Sequence, residues 1–508
     1  MPLPQFTVPA LDWRPDVTEL GGLSLTDLRN AFPVVGGYRS TYELQAQSSA
    51  LPAAPMGDVI AQDPSGSGQM IVGTATNLYR YNATDDSWVP LLSGSDVVSG
   101  VSRWSFVQRD DFLIAFNTAG APIEIDLSDY STQELTGNDV PSARVAGTVR
   151  EFVVAGDTSA DPHRIRWSAY RNHRLWTPSV ATQAGFADLP RVHGVLQAIV
   201  SGVDDCLLFQ RNAVHRLRYV GPPTYFELKE VSENRGAVAP DSVCRSGQNT
   251  FYYSDDGFRH IMPDGSVVPI GTEVLDRWYR DNFSDLTITR GVAHPTDRIV
   301  NFSTRREEGI LHFDGILSYR WDLQRWGYCE SDHNRLVYFV TPNLTPDALD
   351  VPVNASAFGD ISMDSPLFQR ELNDLGAFTT SFSLGTFVGD AQTATFETNP
   401  HPFPPPRGDV VHPVFSVSHV RPMLSRGLVG APDTELERSV TIAATGSMQL
   451  TGARAMSGAR TIVQDETPPS GNMSVRMTGR FMKLKADIMG GFDAFGGFVI
   501  TGRPRGRR

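Results

Sequence analysis

The stretch FLIAFNTAGAPIEIDL, residues 112–127, reads as a short apolar strand, a polar glycine-bearing turn and a second strand rich in branched residues. Five further stretches repeat that reading: MIVGTATNLYRYNATDDSW at 70–88, FVVAGDTSADPHRIRWSAYRNHRLW at 152–176, LLFQRNAVHRLRYVGPPTYFEL at 207–228, FYYSDDGFRHIMPDGSVVPI at 251–270 and IVNFSTRREEGILHFDGILSYRW at 299–321. Their starts lie 42, 40, 55, 44 and 48 residues apart. A four-stranded blade of that length buries its two faces only against neighbouring blades, so the repeat must close into a ring. A series of β-sandwiches has similar turn spacing and is the competing reading. We therefore expect an all-β chain with little helix, whose β-propeller of six or seven blades spans residues 56–340.

Outward from the repeat, a length of 508 residues and 55.7 kDa leaves room for roughly three domains at about 150 residues each. Residues 1–55 read as an N-terminal arm, in which VVGGYRSTYELQ is a strand candidate expected to find its partner within 410–508. After residue 340 the rhythm stops at TPNLTPDALDVPVNAS, which marks 341–410 as a separate β-rich insertion, and HPFPPPRGDVVHP at 401–413 reads as a stiff linker. Alternating segments such as SVTIAATGSMQLTG and GGFVITG make 411–508 a C-terminal β domain that packs with the arm. Two short helices are expected. One is SLTDLRNAF, with Ser24 as N-cap, Asp27 three residues on, and Leu25, Leu28 and Phe32 on one side; the other is TEVLDRWYRDNF, with Leu275, Trp278, Tyr279 and Phe283 on one face.

The net charge is −13, and 41 acidic against 29 basic residues precede position 341 while the rest is nearly balanced. Such a chain is not a DNA clamp, because phosphate binding needs basic stripes. It can still surround a duplex without gripping it. Only Lys229, Lys483 and Lys485 among the 44 cations are lysine, a bias that suits bidentate interface pairing but also follows from genome composition. Cys206, Cys244 and Cys329 lie too far apart for a disulfide framework or a zinc site. The start MPLPQFTVPALDW lacks signal-peptide character, and no run is long enough to span a bilayer, so neither secretion nor membrane insertion is expected.

Chemical motifs are scarce. Phosphate-loop, zinc-protease, esterase-elbow and EF-hand patterns are absent, and His163, His173 and His312 make no ligand set. The paired acids Asp204 with Asp205, Asp255 with Asp256 and Glu307 with Glu308 fall in turns and read as solvated rather than as a glycosidase pair. Arg407, Gly408 and Asp409 spell an adhesion tripeptide, for which chance is the better explanation. Arg164 and Arg166 alternate with Ile165 and Trp167, which favours a structural strand over a single-strand stacking platform. The end TGRPRGRR puts Arg503, Arg505, Arg507 and Arg508 on a flexible tail, where they are candidates for a subunit interface. No catalytic residue, metal or cofactor is expected.

Several short pieces, in order, resemble one known family: Leu11-Asp12-Trp13-Arg14-Pro15-Asp16, Asn30-Ala31-Phe32-Pro33, Gly36-Gly37-Tyr38-Arg39, the strand from Arg164 to Trp176, Tyr219-Val220-Gly221-Pro222, Gly236, Ser254-Asp255-Asp256-Gly257-Phe258 and Gly479-Arg480-Phe481. The chain is similar in these to the tail nozzle, or tail tubular, proteins of short-tailed bacteriophages, also known as packaged-DNA stabilisation proteins. The resemblance implies a propeller beside β-rich platform and tip regions; none of its pieces falls in 341–410, which is expected to be the β-rich insertion, tip or fibre-docking region. It implies a non-enzymatic homohexameric ring in the virion tail, assembled in the host cytoplasm below the portal and adaptor, that retains and guides double-stranded DNA without binding it tightly and anchors tail fibres. A propeller lectin or glycosidase and a monomeric scaffold propeller are the rival functions.

Overall fold

The computed structural model describes residues 5–9, 12–17, 24–93, 98–294, 296–307, 310–341, 372–402, 414–425, 439–447, 455–456, 460–463 and 473–505. Among them are seven four-stranded antiparallel units of β-propeller type. Blades 1 to 6 follow the chain and begin at the strands Gly57–Gln62, Ser105–Arg109, Ala143–Val149, Leu196–Val200, Cys244–Ser246 and Arg290–Ala293. Blade 7 is assembled from both directions: Arg335–Thr341, Leu372–Phe378 and Ser383–Ala391 are completed on the outside by Tyr42–Ala50.

Strand periodicity explains the ring. Neighbouring side chains on a strand point to opposite faces, so one strand can serve two neighbours. In blade 2, Leu113 and Ala115 pack toward blade 1 with Ile71 and Leu78, whereas Ile114 and Phe116 pack toward blade 3 with Val153 and Trp176. In blade 4, Cys206 and Leu208 join Val154 of blade 3, whereas Phe209 joins Tyr252 of blade 5. Phe251 and Phe258 of blade 5 meet Phe302 and Trp326 of blade 6, and Ile316 of blade 6 meets Ala377 of blade 7. The ring closes where Val337, Phe378 and Leu384 of blade 7 pack on Met70 and Val72 of blade 1.

The propeller thus differs from the 56–340 span expected from the hairpin rhythm. Hairpins 70–88 and 299–321 belong to blades 1 and 6, with blade 7 between them, because 372–391 continues the ring instead of forming a separate tip. The rhythm breaks in sequence there because strand Arg335–Thr341 and its partner Leu372–Phe378 are separated by 342–371, which lie outside the described residues, as does the Arg407 to Asp409 triplet.

Beside the ring lies a two-layered platform. One layer extends blade 6: Arg325–His333 is bridged to Ala31–Val34, then Gly37–Ser40, Ala494–Arg505, Val414–Ser425 and Met473–Gly479, and Gln5–Pro9 pairs with Ala494–Arg505. The other layer runs Leu25–Arg29, Ala394–Thr398, Phe481–Met489 and Ser439–Ser447. Phe396, Leu484 and Ile442 from the second layer and Phe415, Phe495 and Phe498 from the first share one core with blades 5 and 6. The strand expected in VVGGYRSTYELQ divides in two. Its first half has a hairpin partner, Ala31–Val34, and touches Ala494–Arg505, but its second half pairs with Ser383–Ala391 in blade 7 and not with 410–508.

The helix expected in SLTDLRNAF is instead the two strands Leu25–Arg29 and Ala31–Val34. Leu25 and Leu28 are both buried, three residues apart, because the register slips between Leu25 and Asp27; this bulge imitates helical spacing in a strand. The second expected helix is present as Asp276–Asn282. Its first backbone N–H groups, on Arg277 and Trp278, donate to the carboxylate of Asp16 at 2.8 and 2.7 Å, so the arm caps a helix about 260 residues later in the chain. Around it Trp13 stacks edge-on to Trp278, its backbone N–H donates to Tyr38 Oη at 3.0 Å, and Arg325 reaches Asp12 at 2.8 Å. A Cβ at Gly37, whose φ is +154°, would run into the Phe495 carbonyl.

Two outcomes follow from this packing. A Cβ at Gly385 would strike the Gln45 carbonyl across the closing pair, so Gly385→Val should lower stability by about 1–3 kcal/mol and release 42–50 and 383–391 together in hydrogen exchange, with other blades protected. Burial raises the Asp276 carboxyl from 3.8 to about 6, against the hydrogen bond from the Phe258 N–H. Between about pH 4 and 6 the folded chain keeps a proton that the unfolded chain releases, so this group lowers stability as pH rises through that window. Buried His260 and His333, pushed down to about 4 from 6.5 mainly by burial, act oppositely and cost stability as pH falls from about 6.5 to 4. Urea midpoints measured from pH 4 to 7 should therefore rise more steeply with pH in Asp276→Asn than in the natural chain.

Candidate functional site at the propeller axis

Each blade places a polar residue at or just before the start of its first strand: Asp58, Arg103, Arg144, Gln197, Asp241, Arg290 and Arg335, for blades 1 to 7. These residues reach across the ring. Arg103 of blade 2 donates to the Gln197 carbonyl of blade 4 at 3.2 Å and pairs with Asp241, ahead of blade 5, at 3.0 Å. Arg290 pairs with the same Asp241 at 3.4 Å, and Arg335 pairs with Asp58. Arg144 pairs with Asp157 behind it and donates to the Leu196 carbonyl at 2.7 Å. Contacts between blades that are not neighbours are possible only near the centre, so the axis is crossed by this network.

The charges are held in partly desolvated surroundings. Side chains of Arg103, Arg144, Asp241 and Arg290 keep between 22 and 26% of their exposure, directed at a cavity of about 230 Å³ that Ser102, Pro240, Thr287 and Ile288 complete. Burial opposes ionisation of Asp241, but Arg103 and Arg290 overcome it and hold its carboxyl far below the usual carboxylate range. Burial lowers Arg103, with Asp241 opposing, and pushes Arg290 down to about 10, with Arg335 adding to the effect. The arrangement is suited to holding charge, and it offers neither an activated nucleophile nor a poised acid–base pair.

The residues singled out in the sequence do not converge. His173 Nε2 lies 2.6 Å from Glu124, which Arg174 also holds through two hydrogen bonds, joining blades 2 and 3. His163 lies near Asp161 at 3.8 Å and His312 near Asp332 at 3.8 Å. Asp204, Asp205 and Asp256 pair separately with Arg150, Arg216 and Arg259. Cys206, Cys244 and Cys329 are free thiols raised by burial. Arg164 and Arg166 alternate with buried Ile165 and Trp167. Arg503 and Arg505 are not on a frayed tail: both belong to strand Ala494–Arg505, opposite Ser416 and Val414, where the ladder fixes the backbone, and Arg503 is exposed. Arg507 and Arg508 lie outside the described residues.

One cluster went unnoticed in the sequence. His193, His215 and Glu230 bring potential ligand atoms within 4.8 Å of one another, the one such group among the described residues. His215 and Glu230 are register partners, and His193 comes from the turn before blade 4. Gln210 Nε2 donates to two backbone carbonyls, at 3.0 and 2.6 Å, so its Oε1 accepts from His215 Nε2 at 2.9 Å. That leaves Nδ1 as the lone-pair nitrogen of His215.

No family model matches this sequence, and no curated protein does. Among solved structures, the chain is similar to the extracellular domain of BT4673 from B. thetaiotaomicron, at a TM-score of 0.41 and 10% identity over 85% of this chain, and spans about half (47%) of that one. It is also similar to the computationally designed Ika8 protein, at 0.37 and 9% identity over 68% of this chain and 99% of the other. A third is a quinonprotein alcohol dehydrogenase-like protein, BT1487, of Bacteroides thetaiotaomicron, at 0.36 and 13% identity over 56% of this chain and 68% of the other.

Asp241 answers two guanidinium groups, so Asp241→Asn leaves both without a counter-charge. Its urea midpoint should fall by the equivalent of about 3 kcal/mol, the lower end of the cost of breaking a buried pair because the site faces a cavity. Asp188→Asn, at an exposed pair with Arg164, should change it little.

Proposed function

We propose that this chain is a non-enzymatic tail component of a short-tailed bacteriophage, a ring-forming nozzle that continues the DNA channel below the portal and adaptor, retains packaged DNA, guides it outward and anchors fibres. The observation that carries the reading is the joint between ring and platform. Asp12, Trp13, Asp16 and Tyr38, from the arm pieces that carry the family resemblance, meet there on Arg325, Trp278 and the helix Asp276–Asn282, beside the bridge of Tyr328 to Ala31 that links blade 6 to the platform. A joint of paired strands and stacked rings resists hinging, which suits a part that bears the pressure of packaged DNA.

The duplex does not run through the propeller itself. Side chains cross that axis and leave about 230 Å³, so the path lies between subunits of a closed ring, most simply a hexamer. The surplus of acids before residue 341 fits a wall along which a polyanion slides without being trapped. Arg503 and Arg505 stand as candidates for the subunit interface, in the last residues of the platform strand Ala494–Arg505. The virion tail is the location and the adaptor, fibres and passing DNA are the partners in this reading. No cofactor or metal takes part.

Electron microscopy and sedimentation of the purified protein, alone and with its adaptor, should give six-fold rings with an open centre, and duplex DNA should show no tight binding at physiological salt. A protein that stays monomeric with the adaptor present, or a ring whose lumen is dominated by arginine, overturns the reading.

A further inference from the structure

At the propeller axis the cations outnumber the anions. Arg144 takes Asp157 and Arg335 takes Asp58, which leaves Asp241 alone to answer both Arg103 and Arg290. One positive charge remains, in surroundings where a guanidinium is poorly hydrated and gains from a second anion. Burial, with like-charged neighbours adding to it and Asp241 opposing, holds Arg103 and Arg290 below their ordinary range. The cavity opens at this point. Arg103, Arg144 and Arg290 stand in its wall with the hydroxyl residues Ser102 and Thr287, and Asp241 is its one acid.

We propose that this cavity binds a small oxyanion of the phosphate type, held by Arg103, Arg144 and Arg290. The guanidinium fork matches the spacing of two oxygens on such a group. Size selects among anions: 230 Å³ holds an oxyanion and several waters at roughly 30 Å³ each, and falls below the roughly 300–1,000 Å³ of pockets for larger ligands. The anion would complete the axial network and lock blades 2, 3, 5 and 6 to one another, a role separate from any passage of DNA.

The experiment uses the full chain with inorganic phosphate as the probe. Thermal midpoints are compared in phosphate and in chloride at equal ionic strength, and affinity is read by calorimetric titration. Phosphate should give a saturable rise that chloride does not. Arg290→Gln should weaken phosphate binding at least tenfold. Asp241→Asn removes the competing carboxylate and should tighten binding about tenfold, with phosphate restoring its lost stability. If Arg290→Gln fails to fold, Asp241→Asn decides the matter through its opposite sign. Phosphate that stabilises no better than chloride, affinity unchanged in Arg290→Gln, or affinity unchanged or weaker in Asp241→Asn each overturns the proposal.

Discussion

A blade with two apolar faces is stable only when both are covered, and every other feature of this chain follows from that requirement. Blade 1 needs a neighbour on the side away from blade 2, and only the last blade can supply it. The chain meets the need by giving its segment Tyr42–Ala50 to blade 7. Because that segment lies before blade 1, the described residues N-terminal to it fall outside the ring. There Leu25–Arg29 and Ala31–Val34 become platform strands, and the C-terminal strands Phe481–Met489 and Ala494–Arg505 return to cover them. The platform shares one core with blades 5 and 6, from Phe258 through Trp326 to Phe495, while the closing contacts of blades 7 and 1 form a cluster of their own.

Closure also creates the axis. Seven first strands converge, and whatever their leading residues carry is brought together in partly desolvated surroundings. Arginine suits this position better than lysine, because one guanidinium can pair with a carboxylate and still reach a backbone carbonyl of another blade, as Arg103 and Arg144 do. The same geometry stitches the blades at their rims, where Arg109 meets Glu151 and Arg245 donates to the Ser201 carbonyl. Arginine richness in this chain thus has an internal use, whatever its genomic origin.

Six of the seven blades were legible because each keeps its hairpin contiguous and its turn chemistry intact. The seventh was hidden by geometry: its outer strand lies near the N-terminus and its first two strands are separated in sequence by 342–371. Leu25 and Leu28 misled because a bulge gives a strand the three-residue spacing of a helix. Helix Asp276–Asn282 was legible because nothing competed with its apolar face. The axial residues left a faint trace, one polar residue near the start of each repeat, but Arg103 and Asp241 gain meaning only when blades 2 and 5 face each other across a ring. His215 and Glu230 likewise meet only through strand register.

The two levels of ring in this reading make different demands on charge. Within one subunit, the axis gathers four arginines against three aspartates around a small cavity, which favours a small anion. Between subunits, a conduit for DNA must do the reverse: it must be wide and must lack such concentrations of unanswered arginine, since each phosphate contact adds to the salt-sensitive grip on the duplex. Gathering Arg103, Arg144, Arg290 and Arg335 at the axis of each subunit keeps that concentration of charge apart from a path between subunits. In that reading the surplus of acids before residue 341 sets the field that a polyanion meets between subunits.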